Sequence, residues 1–92
     1  MSTYIPPKWI VKNVIAQNDY TLLLTFITGE QKIFDMKPFL DYPIFRPLKN
    51  KGLFLQAHIE GPSVAWTEQI DMDPEELYED SVPFQQLEST AC

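Results

Sequence analysis

The chain has 92 residues, 45 % of them apolar, and a formal net charge of −6. That length fits one domain with a modest single core and requires no metal or disulfide on size grounds. The single cysteine, Cys92, cannot form an internal bridge, which excludes a disulfide-built secreted fold and points to a reducing cytoplasm.

No run approaches the roughly 18 apolar residues of a membrane helix, so no membrane contact is expected. Residues 1–7 (MSTYIPP) are too short and polar for a signal peptide, and Pro6-Pro7 makes them a loose arm. Residues 8–16 (KWIVKNVIA) are predicted as a strand, with Trp9, Val11 and Asn13 on one side and Ile10, Lys12 and Val14 on the other. Asn18-Asp19 is a turn signal. Residues 20–27 (YTLLLTFI) follow as a nearly continuous apolar strand, the pattern of a central strand covered on both faces. Gly29 permits a tight turn into a third strand at residues 31–35 (QKIFD), which completes an antiparallel meander.

In the middle, prolines at 38, 43 and 47 allow only short helical turns, with one expected at residues 44–48. Phe39, Leu40, Ile44, Phe45 and Leu48 would cover one sheet face as a lid, and Gly52 would cap its end. Residues 53–60 and 63–68 alternate apolar and polar around Gly61-Pro62, the pattern of a second hairpin. A strand then ends at Asp71, and Asp73-Pro74-Glu75-Glu76 starts a helix over residues 74–80. Asp73 is the cap, Glu76 completes a capping box, and Met72 and Leu77 sit at staple spacing. Glu79 and Asp80 oppose the dipole, so that end should fray, and residues 81–92 form a loose tail. The expected fold is α+β: an antiparallel β meander and a second hairpin, with short helical turns and a short C-terminal helix. It is one domain over residues 1–92 with its core at about 8–80.

Charge is polarised along the chain. All seven basic residues lie at or before Lys51, with only four acids in that part; from Glu60 onward there are nine acids and no base. This disfavours direct nucleic-acid binding by the C-terminal third and suits docking to a basic partner. Lys8, Lys12, Lys32, Lys37, Arg46, Lys49 and Lys51 form no known aromatic–basic module with Phe39 or Tyr42.

Catalytic signals are sparse. His58 is the only histidine, and it reaches acid–base or metal chemistry only if Asp35 and Asp71 converge on it. Asp71-Met72-Asp73 opens like a calcium loop but lacks the pattern that follows, and capping accounts for Asp73. Asp71 is expected to accept backbone N–H bonds at its strand end. No catalytic residue, metal or cofactor is therefore assigned. A candidate acidic docking face comprises Asp71, Glu75, Glu79 and Asp80.

Phe26 and Gly29 of the first hairpin, Asp35, Phe45 with Leu48, Phe54, and the run Trp66, Ile70, Asp71, Pro74, Glu75, Leu77 and Tyr78 together resemble the DUF2442 family. The last motif is the most specific, and Thr28 departs from the Asp or Asn usual before the turn glycine. The resemblance covers about residues 8–80. It implies a bacterial protein of unassigned function with a fold like the NE0471 amino-terminal domain. It also implies an antitoxin-like role beside a second small protein, with no catalytic residues to carry over. The expectation is a cytoplasmic, non-enzymatic interaction domain, paired with a protein partner or with itself through an edge strand. The alternatives are an enzyme using Asp35, His58 and Asp71, or a structural homodimer.

Overall fold

Residues 6–84 are described by a computed structural model. The expectations for residues 1–5 and from residue 85 onward lie outside these described residues. The elements are β1 (Val11–Ala16), β2 (Thr21–Phe26), β3 (Gln31–Asp35), α1 (Lys51–Phe54), β4 (His58–Glu60), β5 (Ser63–Ala65), α2 (Pro74–Asp80) and β6 (Val82–Pro83). Three-residue and four-residue 3₁₀ turns, Lys37–Phe39 and Arg46–Lys49, lie between β3 and α1. The mixture is α+β, as expected.

The meander forms as predicted, because β2 pairs antiparallel with both β1 and β3. Gly29 takes a φ of +94°, a conformation glycine adopts without steric cost. The first turn places Tyr20 at +65°, which is unusual for a bulky residue. Its surroundings hold it there. The hydroxyl donates to the Lys49 carbonyl, and the ring packs 5.0 Å from Phe54 and 4.6 Å from the Lys51 ammonium.

Three expectations for the sheet are corrected. A bulge between Val11 and Asn13 breaks the alternation of β1, so Val11 faces the core and Asn13 does not. β2 is central, yet its two faces differ: Leu22, Leu24 and Phe26 are buried in the core and Thr21 is buried at the strand's start, while Leu23 and Thr25 stay half-buried on the other face. Residues 81–83 do not fray: Val82 and Pro83 pair with Ile33 and Lys32, making the sheet order β1-β2-β3-β6. Pro83 is tolerated there because β6 is an edge strand, where a missing N–H costs no ladder bond.

The lid covers one face of this sheet. Leu40, Leu48 and Phe54 are buried, and Phe39 and Phe45 pack on the same core. The helical turn starts at Arg46, two residues later than predicted, with Pro47 in its first positions. Gly52 is not a cap. It lies inside α1, whose N-cap is Asn50, the side chain accepting the Leu53 N–H at 3.3 Å. α1 also takes Leu53 and Phe54 out of the predicted strand, leaving β4 with three residues.

α2 occupies Pro74–Asp80, as predicted. Met72 and Leu77 are both buried in the core, at the two ends of the staple. The Asp73 carboxylate accepts the Glu75 N–H at 3.0 Å, but no reciprocal bond from the Glu76 side chain is present among the described residues. The short aspartate side chain reaches the second helical N–H, so the cap is one-sided. Asp73→Ala should lower stability by about 1 kcal/mol in urea unfolding.

The far end of α2, expected to fray, is held. The Lys32 ammonium donates to the Tyr78 carbonyl at 2.6 Å and lies 3.9 Å from the Tyr78 ring centroid, with Lys32 only 8 % exposed. The Ser81 hydroxyl donates to the same carbonyl.

Candidate functional site

Three places on the described surface bring chemistry-bearing or exposed apolar residues together. The first is a cleft beside the β4–β5 hairpin. Asp71 does not end a long strand. After β5 the chain turns tightly, with the Trp66 N–H bonded to the Ile70 carbonyl at 2.9 Å, and returns so that Asp71 bridges Ala65. Ala65 is also the partner of His58 in the hairpin. His58 and Asp71 therefore flank one small residue, in a cleft of about 460 Å³ rimmed by Glu60, Thr67 and Glu68.

Asp35 is not part of this cleft. It ends β3 opposite Thr21, accepts the Lys37 N–H at 2.9 Å and pairs with the Lys37 ammonium at 3.1 Å. The trio Asp35, His58 and Asp71 is thus not assembled. His58 is engaged by near neighbours in the chain, with Nδ1 3.1 Å from the Gln56 carbonyl and Nε2 3.7 Å from Glu60. Among the described residues, no three His, Cys, Asp or Glu side chains converge to hold a metal. The expected backbone bonds to the Asp71 carboxylate are also missing among them, because Asp71 is exposed and its backbone, not its side chain, makes the bridge.

The second place is a groove of about 270 Å³ between α2 and the turn before β1, lined by Lys8, Trp9, Glu75, Tyr78 and Glu79. Glu75, Tyr78 and Glu79 share one helix flank through their three- and four-residue spacing. Tyr78 packs edge-on against Phe26, with centroids 4.9 Å apart, and donates its hydroxyl to Glu30 at 2.9 Å. That bond to a carboxylate raises the phenol above its ordinary pKa. The candidate acidic face is thereby divided: Asp71 belongs to the first cleft, Glu75 and Glu79 to this groove, and Asp80 lines neither.

The third place carries no ionisable chemistry. The sheet buries the face under the lid, while among the described residues the other face is half-buried to exposed. On that outer face the strand register aligns Ile15 with Leu23, Leu23 with Ile33, and Ile33 with Val82. An apolar row therefore crosses all four strands, most exposed at its ends, where Ile15 is 50 % and Val82 54 % exposed. Asn13, Thr25 and Gln31 form a neutral polar row beside it. The row is not legible in the sequence, because the β1 bulge sets the register of Ile15 and nothing local marks residues 82–83 as a strand.

A family described as "Protein of unknown function (DUF2442)" matches residues 11–83. Among solved structures the chain is similar to NE0471 from Nitrosomonas europaea ATCC 19718, described as a candidate DNA-binding protein. The two share 27 % identity with a TM-score of 0.71, over 88 % of this chain and 52 % of NE0471. The chain thus spans about half the length of that protein. No curated protein matches. No helix among the described residues is long and apolar enough to cross a membrane.

Proposed function

The chain belongs to the DUF2442 family, and from that premise we propose that it is a small cytoplasmic protein-interaction domain, used in an antitoxin-like manner, and not an enzyme. The observation that supports this reading is the row Ile15–Leu23–Ile33–Val82 on the outer sheet face, half-buried to exposed among the described residues. A sheet stabilises itself by covering its apolar face, and a contiguous exposed patch rimmed by polar side chains marks an interaction surface. The edges favour a face over edge-to-edge pairing. β6 has two residues and a proline, and β1 carries a bulge with the Val11 N–H already bonded to the Pro62 carbonyl at 2.9 Å.

Ile15→Lys combined with Val82→Lys tests this reading, since both positions are half-exposed and the core is untouched. Sedimentation velocity on the chain alone, then with the purified product of the adjacent gene, is expected to show an association that the double variant weakens at least tenfold. A chain that stays monomeric and unbound, or a complex indifferent to both lysines, would sink the proposal.

Nucleic-acid binding is the second reading, favoured by the description of NE0471. The bases near the lid are Lys37, Arg46, Lys49 and Lys51, but Lys37 and Lys49 are paired with Asp35 and Asp41 at 3.1 Å. With a chain charge of −6, little free positive charge remains for phosphates.

A further inference from the structure

We infer that, when no other partner is bound, a second copy of this chain covers the outer face of the four-stranded sheet and forms a weak face-to-face dimer. The inference rests on the reading of that face as an interaction surface and names its occupant. Charge selects where a copy can dock. The chain carries seven bases and thirteen acids, so two copies have the same sign and repel at a distance. The four strands hold only three charged residues, Lys12, Lys32 and Asp35. Lys32 is buried with its ammonium on the Tyr78 carbonyl, and Asp35 is paired with the Lys37 ammonium at 3.1 Å. Lys12 sits in the β1 bulge, outside both rows that cross the face.

What the two rows carry suits an identical partner. Ile15, Leu23, Ile33 and Val82 are apolar, and an apolar row is its own complement. Asn13, Thr25 and Gln31 run beside it, and the Gln31 amide donates to the Thr25 hydroxyl at 3.1 Å. Amides and hydroxyls both donate and accept hydrogen bonds, so the same groups can face one another across a two-fold axis. A row of one charge would instead meet its own sign there.

Geometry sets the mode and the strength. Pro83 in β6 and the bulge in β1 hinder ladder growth at the two sheet edges, so a copy stacks on the face and does not extend the sheet. Four strands about 4.8 Å apart and about five residues long present roughly 300 Å² per copy. A standard interface buries about 800 Å² per partner. The dimer is therefore weak and concentration-dependent, and a partner that reaches beyond the sheet can displace it.

The test follows the full chain by sedimentation from about 10 μM to about 1 mM, the range of a weak complex. The average mass is expected to rise from monomer towards dimer, with no larger species. In an equimolar mixture of isotopically labelled and unlabelled chain, filtered NOE spectra should show contacts between copies at the Ile15, Leu23, Ile33 and Val82 methyls. Ile15→Lys with Val82→Lys should weaken the dimer at least tenfold. Thr25→Lys, which leaves the apolar row whole, should do the same by setting like charges face to face. Both variants should keep the dispersed amide spectrum of the folded chain. Added salt should leave the dimer unchanged or tighten it, since it screens the net charge of the two copies. The proposal is overturned by a monomer at every concentration, or by methyl contacts only to residues 1–5 or 85–92 of the same chain. Contacts between copies at the lid or α2, dissociation by salt, or a dimer indifferent to both folded variants overturn it equally. A monomer that still binds the adjacent gene's product, and loses it in the double-lysine variant, overturns this inference and leaves the wider reading standing.

Discussion

Phe54→Ala is expected to cost about 3–5 kcal/mol. Phe54 is fully buried and joins the lid to both hairpins. Its ring lies 5.0 Å from Tyr20 and stacks on Trp66 at 6.1 Å. The Trp66 indole N–H donates to the Phe54 carbonyl at 2.9 Å, which is a backbone acceptor and survives the substitution. What disappears is packing: the cavity opens between Tyr20 and Trp66, and neither can follow. Tyr20 is tied to Lys49 through its hydroxyl, and Trp66 to Phe54 through its indole. A domain of this size has roughly 5–15 kcal/mol in total. The loss should lower the thermal midpoint by at least about 12 °C, at roughly 4 °C or more per kcal/mol. A midpoint within about 4 °C of wild type would show that the lid is not integral to the core.

Lys32→Met is the second large effect, expected at about 2 kcal/mol. Methionine keeps the apolar stem and removes the ammonium that caps the Tyr78 carbonyl at 2.6 Å. Hydrogen bonds to charged groups contribute about 1.5–3 kcal/mol, and the contact with the Tyr78 ring adds to this. Relief of the desolvated charge offsets part of the loss. The effect should be local: amide exchange should accelerate in the last turn of α2 while β2 keeps its protection. Uniform acceleration, or stability equal to wild type, would remove Lys32 from this role.

These two residues mark the boundary of what the sequence makes legible. Local chemistry was readable: Gly29 between two strands, Asp73-Pro74 opening a helix, and Met72 and Leu77 as its staple. Each signal acts within a few residues, so no tertiary knowledge is required. Lys32 caps a helix 46 positions away, and no local pattern announces that. Leu55, Ala57 and Ile59 alternate like a strand, but the cap at Asn50 and the burial of Phe54 turn the first part of that segment into α1. The candidate residues divide the same way. Ala65 brings His58 and Asp71 to one cleft only because the chain doubles back after Trp66, while Asp35 is left in the other sheet. The apolar row depends on three registers and a bulge, none of them encoded at a single position.

The ends of the four-stranded sheet bear on how this protein behaves in a crowded cell. A ladder grows by template: each added strand needs an uninterrupted line of N–H and C=O groups. On one side Pro83 removes a donor from a strand only two residues long; on the other the bulge between Val11 and Asn13 breaks the line. Among the described residues, neither end offers a platform for successive copies. Assemblies built on this domain should be closed and finite, and a polymerising, fibre-like state is disfavoured by the backbone itself.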